Sequence, residues 1–445
     1  MATPRRHVLV QLPFPSTLAP HPAIQAYYRD YARVLAGALP DYFVPEDGLW
    51  EMPLWIAHLA GILESIGGDV DLLDLSQVSA EADRCAEAAL DATEPGDLVY
   101  LSPLAQNFEL ALAVSRRLRT SGRGTVLGGN MAPLATPADA SLIHRGQLSP
   151  ESVLDLLRHE GDGLVAVPPR TRGRISWTPS YRILEGYRAS VPLLRLNASH
   201  GCLFRCSFCG DAWSQQLHVV ERAALESEVA ELESLFPDTR LVYVGDKSFG
   251  QSKEAVANLE SVFASRRGYK FIVQTHAVLV TSDLIATMRR LGVVAVELGL
   301  ETGDFDLLRE SNKAAKGEAH YVSVIRALND AGMIVVLNVL GGLPAETAAS
   351  HRRTVDFLQR TASDVSLYNL YNFVPYPLTP YFAVVKERIF NWDFASWRED
   401  APPVFRPYHL TAEASWHAFL EKVAVAHELV GTRLSGRSHD VDGRG

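Results

Sequence analysis

Three of the four cysteines in the chain lie within eight consecutive residues, at Cys202, Cys206 and Cys209. With spacings of four and three residues, and with Gly201 and Gly210 at either end, a short loop can wrap three corners of an iron–sulfur cube. A disulfide framework would spread its cysteines along the chain and would need an oxidising compartment. The grouped thiols therefore predict a metal site in a reducing compartment.

No fourth ligand to this metal site is evident from the sequence. Structural zinc sites and electron-transfer clusters usually have a fourth Cys or His, whereas an open position lets a substrate or cofactor bind the metal. His200 and His218 could complete a zinc site, so zinc is an alternative, and a chance grouping of unliganded thiols is another. The remaining cysteine, Cys85, stands alone in the sequence.

The cysteine loop follows the first strand of a repeating strand–helix series. The pattern predicts strands over 193–199, 240–246, 270–276, 293–302, 334–342 and 365–373, with amphipathic helices that include 219–236, 282–291, 321–331 and 351–360. Right-handed crossovers would curl six such units into a (β/α)6 partial TIM barrel. Polar side chains at one parity of these strands predict a polar lumen; they are Arg195, Asn197, Ser199, Gln274, His276, Glu297, Glu301 and Asn338.

A second strand–helix series precedes the first and predicts a doubly wound, Rossmann-like parallel sheet. Its strands are predicted at 7–12, 69–75, 97–102 and 125–129, with helices at 54–66 and 108–118. In open α/β sheets, ligands bind outside the carboxyl ends of the strands. Two corners at strand ends are therefore candidates for ligand contact, and their residues are Ser102, Pro103, Gly128, Gly129 and Asn130.

These patterns divide the chain into four predicted parts. They are the Rossmann-like domain at 1–167, an interdomain linker rich in Pro, Gly and Arg at 168–192, the partial barrel at 193–375 and a small, mostly helical C-terminal cap region at 376–445. Within the cap region, a helix is expected from Ala412 to about Leu429, followed by a frayed tail from Gly431.

Composition restricts the class of partner. The chain has 445 residues, 47% of them hydrophobic, which is enough for two or three domains with cores. A formal net charge of −10 argues against nucleic acid or anionic lipid as the main partner and favours a small-molecule substrate or another protein. No apolar run approaches the length of a membrane span, and the one near the N-terminus breaks at Pro13, so a cytoplasmic protein is expected.

The Cys-x3-Cys-x2-Cys spacing, with Phe208 just before the last cysteine, resembles the signature of the radical S-adenosylmethionine (SAM) superfamily. The resemblance covers roughly residues 193–373. It implies a [4Fe–4S] cluster on Cys202, Cys206 and Cys209, with SAM bound at the open iron and Phe208 beside the adenine. An external one-electron reductant of the flavodoxin or ferredoxin type would then drive cleavage of SAM to methionine and a 5′-deoxyadenosyl radical.

The resemblance extends to the turns that follow later strands. Gly245 and Asp246 stand where the family usually has a Gly-Gly-Glu turn near the methionyl amino group of SAM. The segment 297–303 resembles the family's Gly-Leu-Glu-Ser/Thr-Gly, which implies that Glu301 approaches the ribose or methionyl part of SAM. A plain ion pair between Glu301 and an Arg or Lys is the alternative.

The fifth strand of the barrel series also ends in a recognisable turn. The segment 338–347 resembles the Gly-Leu-Pro-Gly-Glu-Thr turn of the same superfamily, with Ala345 in place of the second glycine. Asn338, Gly341 and Gly342 are therefore expected to shape the SAM site, and Glu346 is expected to cap the next helix.

The N-terminal domain resembles the cobalamin-binding domain of one branch of this superfamily. The branch's Asp-x-His-x-x-Gly motif, which supplies a histidine ligand to cobalt, is absent here. The resemblance implies a cobalamin site lined by Ser102, Pro103, Gly128, Gly129 and Asn130, and methylation of an unactivated carbon, by analogy in a natural product. Radical rearrangement, cyclisation or epimerisation without methyl transfer remains an alternative, as does a non-catalytic iron–sulfur carrier. The sequence does not identify the substrate.

Overall fold

The computed structural model of the chain describes residues 6–15, 19–39, 53–146, 148–159, 161, 163–166, 172–185, 193–210 and 216–441, with only the backbone described at 164–166 and 433–441. The predicted linker at 168–192 and the end of the predicted tail therefore lie partly outside the described residues.

The N-terminal part is a six-stranded parallel sheet with helices between the strands. Its elements are β1 (His7–Gln11), α1 (Pro22–Ala38), α2 (Leu54–Ser65), β2 (Val70–Asp74), α3 (Ala82–Ala92), β3 (Leu98–Leu101), α4 (Phe108–Thr120), β4 (Gly124–Leu127), β5 (Leu142–Arg145), α5 (Pro150–Arg158) and β6 (Gly163–Ala166). The strand order β2-β1-β3-β4-β5-β6 confirms the predicted doubly wound sheet. The sequence pattern misses the short strands β5 and β6.

Two strands of a small three-stranded sheet flank the cysteine loop in the chain. The strands that follow in the chain are β7 (Arg172–Ile175), β8 (Leu194–Leu196), β9 (Ser199–His200) and β10 (Leu217–Val220), and β7-β10-β9 form this small sheet. The predicted linker is therefore partly structured, since β7 pairs in parallel with β10. The helix predicted from residue 219 is wrong at its start, because residues 217–220 form β10 and α6 (Arg222–Leu235) begins only at Arg222.

The second large sheet confirms the predicted partial barrel. Its remaining elements are β11 (Leu241–Val244), α7 (Lys253–Phe263), β12 (Lys270–Thr275), α8 (Ser282–Leu291), β13 (Val293–Glu301), α9 (Phe305–Glu310), α10 (Glu318–Asp330), β14 (Ile334–Gly341), α11 (Ala348–Thr361) and β15 (Leu367–Asn372). The order β15-β14-β13-β12-β11-β8 contains all six predicted strands, and each neighbouring pair is parallel. Six parallel strands with crossover helices leave an open barrel with two edges.

Helix α1 covers the edge of this barrel at β15. The hydroxyl of Tyr27 donates to the Tyr368 carbonyl at 2.5 Å and accepts from the Tyr368 N–H at 3.0 Å. Tyr28 makes the same pair of contacts with Leu370, both at 3.2 Å. Two tyrosines thus satisfy the unpaired backbone groups of an edge strand. Although α1 lies in the predicted N-terminal domain by sequence, it packs on the barrel.

The C-terminal part comprises α12 (Pro380–Val385) and α13 (Ala412–Val441). Helix α13 begins where the sequence predicts but continues beyond Gly431 to Val441, so the described part of the predicted frayed tail is helical. Buried Phe419, Val423 and Ala426 on α13 join the core that spans α1 and the barrel. Within the described part of the chain, no helix combines the length and the apolar character needed to cross a membrane.

Candidate active site

The cysteine loop follows β9 and precedes β10 in the chain. Cys206 is buried, Cys202 and Cys209 are half-buried, and none of the three forms a disulfide. The Cys209 N–H donates to the Cys206 carbonyl at 3.0 Å, which turns the chain between these two thiols. Gly201 has a φ of +90°, and a Cβ there would lie 2.3 Å from the Gln216 carbonyl oxygen, so only glycine fits at the start of the loop.

Ser207, within the loop, is anchored by two distant parts of the chain. Its N–H donates to the Ser311 carbonyl at 2.8 Å, and its hydroxyl accepts from Asn312 Nδ2 at 2.8 Å. Its carbonyl accepts from the N–H of Tyr381, in α12, at 2.9 Å. These bonds hold the backbone between Cys206 and Cys209 through contacts within the protein.

Gln251 fixes the other end of the loop. Its side-chain amide donates to the Gly201 carbonyl at 2.9 Å and accepts from the Leu203 N–H at 3.2 Å. The loop is therefore held on both sides of the three cysteines.

The zinc alternative requires several ligands arranged around one ion. Among the residues that the structure describes, no three His, Cys, Asp or Glu side chains are arranged to hold one ion. The ring of His200 stacks on His58 with centroids 5.1 Å apart and lies beside Trp177. In an iron–sulfur cube each thiolate binds a different iron, so the three thiols need not converge on one point. The arrangement thus favours a cluster over the zinc alternative.

Asp246 supports the strand that leads into the loop. One carboxylate oxygen accepts from the N–H groups of Ala198 and Ser199 at 2.7 and 2.9 Å, and the other accepts from the Ser199 hydroxyl at 2.6 Å. Burial raises the pKa of Asp246 to about 6, and these three donors moderate the shift. Asp246 thus positions the backbone at Ala198 and Ser199, and its contact with SAM stays a prediction.

The neighbouring Gly245 lies beside Asn197, because the strands that precede them, β11 and β8, are paired. A Cβ at Gly245 would lie 2.2 Å from Asn197 Oδ1, so a side chain at this position would displace Asn197. Asn197 Oδ1 is itself buried and has no hydrogen-bond partner among the residues that the structure describes. This oxygen is an available acceptor at the ends of β8 and β11.

Glu301 ends β13 in an unusual backbone conformation. Its φ is +69°, and the pairing of β13 with β14 is irregular between Gly299 and Glu301. The carboxylate accepts from Lys313 Nζ at 3.1 Å, and both side chains are almost buried. Burial alone would lower the pKa of Lys313, but Glu301 raises it above its ordinary value. The ion pair that was the alternative for Glu301 is therefore observed, with Lys313 as the partner.

Lys313 connects this ion pair to the cysteine loop. Its Nζ lies 5.9 Å from the centroid of the Phe208 ring, within the range of a cation–π contact. The predicted SAM residues Phe208 and Glu301 are thus brought together through Lys313. Strained backbone of the kind seen at Glu301 often occurs at functional sites.

The turn after β14 separates the three residues predicted there. Asn338 lies on the lumen side of β14, where its Oδ1 accepts from Asn369 Nδ2 at 2.9 Å. Gly341 lies on the opposite side, and a Cβ there would come within 2.7 Å of Phe419 on α13. The missing side chain of Gly341 thus makes room for α13, and the predicted contact with SAM has no support at this position.

Gly342 and Glu346 form a closed turn. Gly342 has a φ of +69°, and its N–H donates to Glu346 Oε2 at 2.9 Å. The other oxygen of Glu346 pairs with the buried Lys422 of α13 at 2.5 Å. The prediction that Glu346 caps α11 is wrong, because Thr347 and Ser350 form the capping box of that helix.

His276, which follows β12, is a further candidate for binding a ligand. The sequence pattern predicts it only as a polar residue of the lumen. Its ring stacks on Phe204 of the cysteine loop with centroids 4.2 Å apart. Its Nδ1 accepts from the Val278 N–H at 3.3 Å, while Nε2 is buried and has no partner in the described part of the chain. Burial, with Lys313, lowers the pKa of His276 to about 3, so the neutral ring carries its proton on Nε2. A buried donor therefore faces the site, a feature that depends on tertiary contacts.

The predicted cobalamin residues come together at the carboxyl ends of β3 and β4. Gly129 has a φ of +81°, and a Cβ there would lie 2.7 Å from Ser102 Oγ. A Cβ at Gly128 would meet nothing within 4 Å, so open space adjoins this backbone. The order of the sheet reverses between β1 and the adjacent β3, which is where ligands bind in doubly wound sheets. Pro103 and Asn130 complete this edge.

A cavity of about 450 Å³ joins this edge to the barrel. Two residues of its wall come from different sheets: Asn130 follows β4 of the N-terminal sheet, and Tyr371 lies in β15 of the barrel. Its size is typical of small-molecule sites. The lining residues are Tyr28, Leu104, Ala105, Gln106, Asn130, Met131, Leu370, Tyr371, Tyr376, Arg398, Glu399 and Asp400.

Comparison with known proteins gives a family match and several relatives. Residues 196–358 match the model of the radical SAM superfamily. The chain is 22% identical to bacteriochlorophyllide d C-12(1)-methyltransferase of Chlorobaculum tepidum over 368 residues, which cover 78% of this chain and 77% of that protein. It is also 22% identical to the anaerobic magnesium-protoporphyrin IX monomethyl ester cyclase of Rubrivivax gelatinosus over 403 residues, 81% of this chain and 70% of the relative.

Two solved structures share the fold. The radical SAM methyltransferase TsrM of Kitasatospora setae, solved with its tryptophan substrate and a SAM analogue, superposes with a TM-score of 0.60 at 18% identity over 84% of this chain and 75% of its own. The cobalamin-dependent SAM radical enzyme OxsB, with aqua-cobalamin and SAM bound, gives 0.64 at 14% identity over 94% of this chain and 66% of its own. Radical SAM domains use a [4Fe–4S] cluster and SAM. Residues 196–358 are therefore a radical SAM domain, and the chain shares its overall fold with solved cobalamin-dependent radical SAM structures.

Proposed function

We propose that the enzyme depends on cobalamin and methylates an unactivated carbon of a small molecule. The observation that carries this proposal is the cavity that Asn130, from the predicted cobalamin edge, shares with Tyr371 of the barrel. A substrate in this cavity would lie between the two predicted cofactor sites. The methyltransferases among the relatives and solved structures support the same activity.

Cys202, Cys206 and Cys209 would hold the cluster, and the contacts of Ser207 and Gln251 position their loop. When bound, the cluster and SAM supply a 5′-deoxyadenosyl radical, and cobalamin supplies a transferable methyl group. The domain limits predicted from the sequence, 1–167 and 193–375, would place cobalamin and SAM in different domains. A flavodoxin- or ferredoxin-type reductant and a cytoplasmic location complete the proposal.

Several side chains at the top of the barrel could position SAM. Phe208 offers an aromatic face, and Gly245 leaves room for the side chain of Asn197. Asn197 Oδ1 is a buried acceptor suited to an ammonium group, and His276 Nε2–H is a buried donor suited to a carboxylate or ribose oxygen. An unmatched buried polar group is costly, so a ligand that satisfies it binds more tightly.

Replacing His276 with phenylalanine should weaken SAM binding about tenfold, because the aromatic stack on Phe204 is kept while the Nε2 donor is lost. The measurement is the dissociation constant of SAM, by equilibrium dialysis under anaerobic conditions, with the cluster absorption recorded for each sample. His409→Phe, at an exposed position, is the control. Unchanged SAM affinity with an intact cluster would show that Nε2 does not contact SAM.

The proposed function is tested by following the methyl group of SAM. Anaerobic enzyme containing the cluster and cobalamin should, with a reductant, form 5′-deoxyadenosine and transfer an isotopic label from the SAM methyl group to the bound corrinoid. Formation of 5′-deoxyadenosine without label transfer would overturn the methyltransferase proposal. Radical chemistry without methyl transfer would then be the better assignment, and the similarity to the cyclase of Rubrivivax gelatinosus favours it as the second candidate.

A further inference from the structure

One carboxylate in the cavity has no partner among the residues that the structure describes. It belongs to Glu399, an exposed residue that lines the cavity. Among the described residues, nothing donates a hydrogen bond to the Glu399 carboxylate or forms an ion pair with it. The backbone at this position is fixed, since the Glu399 carbonyl accepts from the Asn372 N–H at 2.7 Å. The Glu399 backbone is therefore anchored to the end of β15, and this anchor places the side chain at the cavity.

The other two charged residues of the lining neutralise each other. Arg398 donates to the two carboxylate oxygens of Asp400 at 2.8 and 2.6 Å. With this pair closed, Glu399 supplies one excess negative charge to the cavity. Its partial loss of water raises the pKa of Glu399, and Asp400 adds to the shift. A cation bound nearby would stabilise the charged form of Glu399.

Most of the neutral polar groups in the wall are already satisfied. Gln106 and Tyr376 both donate to the carbonyl of Trp397, and Tyr28 donates to the backbone of β15. Within the described residues, the hydroxyl of Tyr371 makes no hydrogen bond. Glu399 and Tyr371 are therefore polar groups that remain for a ligand.

Tyr371 also shows where this ligand would point. In β15 it has the same parity as Asn369, whose amide reaches Asn338 in the lumen. Its ring thus belongs both to the barrel interior and to the cavity wall. Burial raises the pKa of the Tyr371 hydroxyl, and the charges of Glu297 and Glu399 add to this shift, which is consistent with its position. A molecule held by Glu399 would extend past Tyr371 toward the predicted SAM site.

We propose that Glu399 recognises a substrate that carries an amine, bound as its ammonium ion, on an apolar body. The apolar body would lie against the remaining wall, which includes Leu104, Met131 and Leu370. The proposal rests on the proposed function, since it names the substrate class of that same site. A charge-assisted hydrogen bond from the ammonium group would contribute more than a neutral one.

The test uses simple probes on the full chain reconstituted with its cluster and cobalamin. Phenethylamine and 2-phenylethanol have the same apolar body, but only the first is charged at pH 7. Their dissociation constants are measured by ligand-observed nuclear magnetic resonance for the wild type, Glu399→Gln and the exposed control Glu387→Gln. The amine should bind the wild type and the control about tenfold more tightly than the alcohol, and the preference should disappear in Glu399→Gln.

The other outcomes overturn the amine site. An absent preference in the wild type would do so, as would a preference that survives in Glu399→Gln. Loss of corrinoid from Glu399→Gln would show that Glu399 binds amide groups of cobalamin instead. Formation of 5′-deoxyadenosine and transfer of the methyl label, measured without any probe, report on the proposed function separately. Their failure in a wild type that still prefers the amine would overturn that function and leave the amine site in place.

Discussion

Replacing Cys206 with alanine should reduce the iron content of reconstituted enzyme from about four atoms per chain to background, because a three-thiolate site loses its cluster when one corner is missing. The same result is expected for Cys202→Ala and Cys209→Ala. Iron and sulfide analysis after anaerobic reconstitution measures the effect, together with the absorption of the cluster. Formation of 5′-deoxyadenosine should be lost in parallel.

The loop should stay folded in these variants. Its backbone is held by Ser311, Asn312 and Tyr381 on one side and by Gln251 on the other, and none of these contacts uses a thiol. Circular dichroism should therefore be unchanged. Cys85→Ala is the matched control, since Cys85 is buried in the N-terminal core and its thiol donates to the Ser79 carbonyl at 3.2 Å. Stoichiometric zinc in anaerobically purified wild type, with no uptake of iron, would contradict the assignment of an iron–sulfur cluster to these cysteines.

Local sequence signals predict most of this architecture. The six barrel strands alternate with amphipathic helices that obey a 3.6-residue period, and the predicted strands agree with the structure to within a few residues. The cysteine loop is equally local, since its three thiols and two glycines lie in one short segment. Even the lumen follows from parity, because successive side chains in a strand alternate between its two faces.

Residues whose roles depend on distant contacts are the ones that sequence misassigns. Asp246 follows a strand as a ligand residue would, yet its carboxylate is occupied by Ala198 and Ser199 from another strand. Gly341 and Glu346 contact α13, which lies far along the chain, through Phe419 and Lys422. No local pattern reports such partners, and the same holds for the vacant hydrogen-bonding groups of Asn197 and His276.

Contacts near the two predicted cofactor regions include tyrosine side chains that belong to no sequence motif. Tyr27 and Tyr28 attach α1 to the edge of β15, and Tyr28 also lines the cavity next to Tyr371. The N-terminal sheet and the barrel thus share one wall of the proposed substrate site. Because α1 fixes β15, it also fixes the side of the lumen that faces the predicted cobalamin edge.

Replacing Gly128 with leucine should expel cobalamin while leaving the fold intact. A Cβ at Gly128 meets nothing within 4 Å, so the leucine would enter open space at the carboxyl ends of β3 and β4. If the corrin occupies that space, protein produced with abundant cobalamin should lose its stoichiometric corrinoid, measured by absorption after extraction. Gly129 is a less suitable position, because its φ of +81° and the nearby Ser102 Oγ would strain any side chain. Gly37→Leu, with equally open surroundings in α1, should retain full corrinoid, and full retention in Gly128→Leu would place cobalamin elsewhere.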